Sequence, residues 1–449
     1  MPFFLQYIVP TAYSSLPLPS TPPSSDLIVQ DFAVIMIVAA VMLIITHKFR
    51  QPMVIGYIVA GMIVGPYTPP FSLISSVQTV NVLSELGIIM LLFVIGTEFP
   101  ISRLKSVGKL SIMVALPESM GTLLIIFFVA QRFGFSFFDS MFLALAMSIT
   151  STVVTVKILE DLNIIRDRSS TLILGILIIE DIIAVSALAI LQSVAVSTTI
   201  ASPTTHGVSG TSALGVEGII IGQGGGGGQA SALKIAISIA IVVAFMGGIL
   251  ILGSRFIPPI LDKVGRTNNY ELLLIVILGL AFGLSFAAKS LGLSVVIGAF
   301  LAGVLVAESN SASVARVVTI PLRDVFSALF FVSIGALMNI SLIPLFIIPA
   351  IILILTSFAS KFLIVIGVFF TIRSKIDVNT ALRTGLGLSA SKGEMSLVIA
   401  KGGQDVGAIS SSVLPILGVI TVVTTFIAPY IFKVGSKIKV SESAPASSS

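Results

Sequence analysis

Apolar stretches as long as a bilayer is thick recur along this chain from residue 27 to residue 433. A helix advances about 1.5 Å per residue, so roughly 20 apolar residues carry it across about 30 Å of hydrocarbon. Thirteen such stretches can be placed, at 27–47, 53–68, 81–98, 109–131, 136–157, 170–197, 231–253, 271–287, 291–307, 321–340, 342–371, 380–401 and 410–433. Of the 449 residues, 56% are apolar and only 10% charged, too few to cover a water-facing surface. The chain therefore reads as an all-α polytopic membrane protein. A soluble enzyme is excluded.

The positive charges orient it. With the N-terminus outside, nineteen of the 25 Lys and Arg residues fall in cytoplasmic loops or the C-terminal tail. Arg132, Lys234, Lys289 and Lys401 fall outside, and Lys361 and Lys392 lie within spans. Such a bias over short loops sets topology, and places the C-terminus in the cytoplasm of the cell membrane. Residues 1–26, free of Lys and Arg, read as an external tail rather than a secretory signal. Residues 27–433 form the membrane domain. Within it, 198–230, with its run GQGGGGGQ, reads as a flexible external loop, and 434–449 as a disordered cytoplasmic end.

Several chemistries drop out. The chain has no cysteine, so disulfides and thiolate chemistry are absent, and His47 and His206 are too far apart in sequence to suggest a zinc site. The glycine run lacks the GK[ST] ending of a phosphate loop. The net charge of +5 sits in membrane-flanking loops and does not point to nucleic acid.

The chain repeats itself. VIGYIVAG at 54–61 matches VIGAFLAG at 296–303, and the spans that follow end alike, in LLFVIGTEF at 91–99 and LFFVSIGALM at 329–338. The second and ninth spans cross in opposite directions, so the repeat is inverted. Inverted repeats mark secondary transporters, with the substrate site near the midplane. Small-residue helices that merely look alike are the plainer alternative.

Polar residues inside the spans point to the site. Glu180 and Asp181 stand side by side in LIIEDIIAV, mid-span, and project about 100° apart around a helix. Lys361 lies mid-span in LTSFASKFLIVIG and needs a carboxylate or helix-end carbonyls, the acidic pair being its natural partner. The fifth span carries SITSTVVT with Thr150, Ser151 and Thr152; the twelfth carries LSASKGEMSLV with Ser391, Lys392 and Glu394. These runs occupy corresponding positions of the two halves, as expected of discontinuous helices whose ends can hold ions. The alternative is that their hydroxyls bond back to the preceding turn. Glu118 is also mid-span, without an assignable role, while Asp31, Glu85 and Glu98 read as interfacial.

A midplane carboxylate can hold a proton or a monovalent cation, and competition between them at Asp181 is enough to couple their movements. Hydroxyls of residues 150–152 and freed backbone carbonyls would replace the cation's hydration. Oxygen ligands of this kind suit Na⁺, Li⁺ or K⁺ alike, and no cofactor is needed.

QPMVIGYIVAGMIVGP (51–66), ELGIIMLLFVIGTEF (85–99), SITSTVVTVKILED (148–161), LIIEDIIAV (177–185), GLSVVIGAFLAGVLVAE (292–308) and SKGEMSLVIA (391–400) together resemble the monovalent cation:proton antiporters of the Kef/Nap type. That resemblance implies about 13 transmembrane helices in two inverted repeats, with two crossing discontinuous helices, in a homodimer. It implies a dimerising scaffold (about 27–98 and 231–340) and a moving core (about 109–197 and 342–433). By the same resemblance Asp181 is the ion-binding aspartate, and Lys361 the core lysine, paired with Glu180. Sodium exchangers share the acidic pair and lysine, which favours Na⁺ over K⁺. Kef-type systems carry a nucleotide-binding domain after the membrane part, and none is expected here. A channel, a sodium-coupled solute symporter and an intramembrane aspartyl protease are the rival readings. The first lacks a filter sequence and the last a second mid-span aspartate.

Overall fold

The computed structural model describes residues 25–49, 51–68, 73–74, 76–98, 108–199, 240, 242–267, 269–291, 293–372 and 377–438. The tails expected at 1–26 and 434–449 and the loop at 198–230 lie wholly or mostly outside these. Among the described residues the chain is helical throughout, without a strand.

Its helices are α1 (Ser25–Lys48), α2 (Met53–Val64), α3 (Val77–Thr97), α4 (Lys109–Arg132), α5 (Phe137–Met147), α6 (Thr152–Asp161) and α7 (Arg168–Thr199). There follow α8 (Val242–Gly265), with a π-helical turn at Ile249–Gly253, and α9 (Tyr270–Ser290), α10 (Val295–Ala307) and α11 (Ala312–Ala336). The last are α12 (Ile343–Thr371), α13 (Val378–Ser389), α14 (Glu394–Asp405) and α15 (Val413–Ser436). Ten helical segments are long and apolar enough to cross a membrane, and α2 and α10 are shorter apolar helices.

The two expected discontinuous helices are broken where the polar runs stand. The fifth span is α5 and α6, separated at 148–151, and the twelfth is α13 and α14, separated at 390–393. Two boundaries differ from expectation. The helix expected to end at 253 continues to Gly265, because its last turns are amphipathic: Pro258 and Leu261 are buried while Arg255 and Lys263 are exposed. Asp262 in that extension accepts from Asn310 Nδ2 (2.7 Å) and from the Ser311 backbone N–H (3.2 Å) at the start of α11. The helix expected from 321 starts at Ala312, and its Arg316 donates to Thr97 O at the end of α3. Charge ended the hydropathic run in both cases, not the helix.

α2 and α10, with 12 and 13 residues, are about 20 Å long at best, short of the hydrocarbon thickness. Protein surrounds α10, every residue of which is buried, while α2 buries one face, from Gly56 to Val64. Both make backbone-to-backbone seams. A Cβ on Gly61 of α2 would fall on Val332 O beside Gly335 of α11, and one on Gly335 would fall on Ile58 O. Likewise a Cβ on Gly96 of α3 would fall on Phe300 O beside Gly303 of α10, and one on Gly303 on Phe93 O. Gly61 and Gly303 close the two matching octapeptides, while Gly96 and Gly335 follow an isoleucine near the ends of the spans that come next. The two seams are therefore the pair that an exchange of the halves would interchange.

A valine at Gly61 or Gly303 should lower the melting temperature in detergent by the equivalent of about 2 kcal/mol or more, since backbone cannot give way. Gly279→Ala, where a Cβ meets nothing within 4 Å, should leave it unchanged or raise it.

Candidate functional site

The backbone decides where the site lies. A helix that stops leaves its last carbonyls and first N–H groups unpaired, and inside hydrocarbon no water takes them up. At the end of α5, Leu145 O accepts from Ser148 Oγ (2.9 Å), Ala146 O from Ser396 Oγ (2.7 Å) and Met147 O from Ser357 Oγ (3.0 Å). At the end of α13, Leu388 O accepts from Thr150 Oγ1 (2.6 Å), and Lys392 O from Thr425 Oγ1 (2.9 Å). The two breaks touch directly: the Ser151 N–H donates to Ser391 O (3.2 Å), and a Cβ on Gly393 would fall on the Ser151 hydroxyl. Of the carbonyls freed at the breaks, those of Leu145, Ala146, Met147, Leu388 and Lys392 are thus engaged by hydroxyls and that of Ser391 by an N–H.

The carboxylates lie by the N-terminal ends of α6 and α14, where helix dipoles favour negative charge. Glu180 Oε2 accepts from the Thr150 N–H (2.7 Å). Glu394, first residue of α14, accepts from Ser151 Oγ (3.0 Å), which in turn caps α6 by accepting from the Val154 N–H (3.3 Å). Lys361 of α12 spends its three protons on Thr150 Oγ1 (2.8 Å), Glu180 Oε1 (3.1 Å) and Glu118 Oε1 (2.8 Å). Lys361, Glu180 and Glu118 are all completely buried.

Lys361 therefore has the partner that the resemblance implied, Glu180, and a second one that the sequence left without a role. Glu118 sits on α4, one residue after Pro117. The signal for it was its depth in an apolar run, since a buried carboxylate requires a cation. Which lysine supplies it is a matter of tertiary contact. Asp31, read as interfacial, is also fully buried, whereas Glu98 is exposed at the end of α3 and lies within electrostatic reach of Asp181.

Asp181 stands apart from this network. It is 2% exposed; Oδ2 accepts from Thr152 Oγ1 (2.8 Å), while Oδ1 has no hydrogen-bond partner. Thr152 is half-buried and the next residue, Val153, is exposed. Thr150 and Ser151 are close by but committed as described. Ser391 Oγ and Lys392 Nζ are buried without hydrogen-bond partners, and the Lys392 backbone N–H is held by Thr424 Oγ1 (3.1 Å). Among the described residues no group of three or more His, Cys, Asp or Glu is placed to hold a metal ion.

Asp181 is thus a buried aspartate with one open oxygen, beside the meeting of two broken helices. Comparison with known proteins agrees with the sequence motifs: residues 34–434 match the sodium/hydrogen exchanger transmembrane family. The chain belongs to that family. It is a multi-pass membrane protein. It is 31% identical to YbaL of Escherichia coli over 306 residues, 68% of this chain and 50% of YbaL, so it matches half the length of that relative. It is 28% identical to the high-affinity Na⁺/H⁺ antiporter NhaS3 of Synechocystis, over 78% of this chain and 70% of NhaS3. The K⁺/H⁺ antiporter subunit KhtU of Bacillus subtilis is 26% identical, over 92% of this chain and 95% of KhtU. In fold the chain resembles the sodium proton antiporter MjNhaP1 of Methanocaldococcus jannaschii, with a TM-score of 0.65 at 16% identity, covering 92% of this chain and 99% of that one.

The contact of Ser151 with Gly393 yields a test. Gly393→Ala should lower the melting temperature by the equivalent of about 2 kcal/mol, and Ser151→Gly by about 1 kcal/mol, chiefly through loss of the hydrogen bond to Glu394, with the α6 cap adding a few tenths. The double variant should lose less than their sum, because the second change makes room for the first.

Proposed function

We propose that this protein exchanges a monovalent cation, Na⁺, for H⁺ across the cell membrane at Asp181. The observation that carries the reading is the Asp181 carboxylate itself, buried, held by Thr152 through one oxygen and open at the other. Proton and cation compete for that oxygen, and either leaves the site neutral. The empty carboxylate is a buried charge, which is costly to carry through the protein. Loaded forms cross and the empty form does not, so each cation moves against protons. The remaining cation ligands are hydroxyls near the break, of which Thr152 is in place and Ser391 Oγ unengaged.

The moving part in this reading is α4–α7 with α12–α15, and the support is α1–α3 with α8–α11. The paired glycine seams, interchanged when the halves are exchanged, support two inverted repeats. Ten long apolar segments, two short ones and the α13–α14 pair support about 13 crossings. The charge bias supports an external N-terminus and cytoplasmic C-terminus, and the resemblance a homodimer.

Na⁺ is preferred because the acidic pair with its lysine is what sodium exchangers show. KhtU, matched along nearly its whole length, is named for K⁺, which makes K⁺ the second candidate. Proteoliposomes with an internal pH dye and an imposed proton gradient, given Na⁺, Li⁺, K⁺ or choline, decide between them. Proton flux should follow Na⁺ and Li⁺ and fall at least a hundredfold in Asp181→Asn. Flux with K⁺ alone would reassign the cation, and Asp181→Asn with full coupled flux would refute the site.

A further inference from the structure

The two groups of helices are not joined evenly along their length. On the cytoplasmic side, Val114, Ile158, Ile173, Val365 and Phe432 belong to an apolar cluster drawn, among the described residues, from α4, α6, α7, α12, α13, α15 and Ala390 alone. That half of the moving group is packed on itself. Toward the outside the packing is shared: Phe142 of α5, Leu188 of α7 and Leu417 of α15 lie in one cluster with Val64 of α2, Leu83 of α3 and Val296 of α10.

Two particular contacts cross between the groups in the shared half. Met338, 1% exposed just beyond α11, reaches Gly418 of α15, where a Cβ would fall on the Met338 methyl carbon. The missing side chain leaves a notch, and the unbranched thioether fills it. Lys401 of α14, its side chain 4% exposed, donates to Asn81 Oδ1 of α3 (3.0 Å) and to Asp405 Oδ1 on its own helix (2.6 Å). Glu85, one turn along α3 from Asn81, is taken by Lys289 of α9. Lys401 therefore holds α3 through a neutral amide, a weaker acceptor than a carboxylate, and keeps Asp405 when it lets go.

We infer that these contacts form an outer latch, in which Met338 seated at Gly418 and Lys401 bonded to Asn81 hold the two groups together on the external side. Both contacts must separate before Asp181 can be reached from outside. The latch rests on the antiport reading for the direction and the movement of the groups. It favours the state closed to the outside, and its strength sets how the protein divides its time between the two states. A cation arriving from outside binds only the unlatched fraction, so a stronger latch raises the external concentration needed.

The chain has no cysteine, so introduced thiols report alone. Met338 Cγ, the place a cysteine sulfur would take, lies 3.9 Å from a Cβ on Gly418, close enough for a disulfide to form after a small adjustment. In proteoliposomes, oxidised Met338→Cys/Gly418→Cys should lose the proton flux driven by Na⁺ or K⁺ and regain it on reduction. The cross-linked protein in detergent should still melt at a higher temperature when that cation is added, since its site stays reachable from inside. A pair that oxidation does not join would overturn the latch. So would cross-linked protein that transports at the reduced protein's rate or has lost the thermal shift.

Met338→Cys alone gives a readout independent of transport. In right-side-out vesicles a membrane-impermeant maleimide added outside should label it about fivefold faster when Asn81→Leu is also present. Asn81→Asp, whose carboxylate holds Lys401 more firmly, should slow the labelling. General loosening of the fold would not give opposite effects at one position. Equal rates in all three would refute the part given to Lys401, and this comparison decides the matter should the cysteine pair fail to fold. Absence of cation-driven flux in the unaltered protein would instead refute antiport, and leave the labelling result standing.

Discussion

A helix that ends inside hydrocarbon must find partners for its end groups, and the centre of this protein is organised by that requirement. Ser148, Ser357 and Ser396 take the last carbonyls of α5, Thr150 takes one from α13, and Ser151 and Glu180 take N–H groups at the start of α6. Each such bond contributes about 1 kcal/mol net, but leaving the group unpaired would cost more. Because the partners come from α7, α12, α13 and α14, the breaks also bind those helices together. Charge follows backbone: acids lie toward the N-terminal ends, and the ammonium of Lys361 lies where Thr150 meets the α13 terminus.

Satisfying the backbone this fully leaves a narrow choice of ion ligands. Glu180, Thr150 and Ser151 are used in holding the crossing, and what remains open is Asp181 Oδ1 with nearby hydroxyl groups. Adjacent positions on one helix thereby serve different purposes. Glu180 points into the network around Lys361, and Asp181, about 100° around the helix, points to Thr152.

Much of this was legible in the sequence. Charges at 180, 181 and 361 stand out in apolar runs, and the polar runs at 148–155 and 388–398 mark both breaks, since only special backbone tolerates them at that depth. Whether a freed carbonyl is available or capped was not legible, because the caps come from Ser357 and Ser396, more than 200 residues away from the carbonyls they serve. Glu118 was visible as a misplaced charge but its contact with Lys361 is tertiary. The end of α8 and the start of α11 were misjudged for a simpler reason: hydropathy measures where lipid stops, whereas the backbone continues as an amphipathic helix beyond it.

Two kinds of packing bear on the proposed movement of one group of helices against the other. Where Gly61 meets Gly335 and Gly96 meets Gly303, main chain lies on main chain, and no side chain can rotate to allow another register. α2, α3, α10 and α11 are consequently fixed to one another. Between the two groups, contacts such as Lys401 Nζ on Asn81 Oδ1 (3.0 Å) run from a flexible side chain to a polar one. Lys401 also pairs with Asp405 on its own helix (2.6 Å), so it keeps an acceptor when the contact across the groups is lost. A polar contact of this sort can break and reform without leaving Lys401 unpaired, while the hydroxyl-capped crossing and the glycine seams lie within the groups on either side. The proposed alternation of access requires that inequality: rigid units need irreplaceable contacts within, and replaceable ones between.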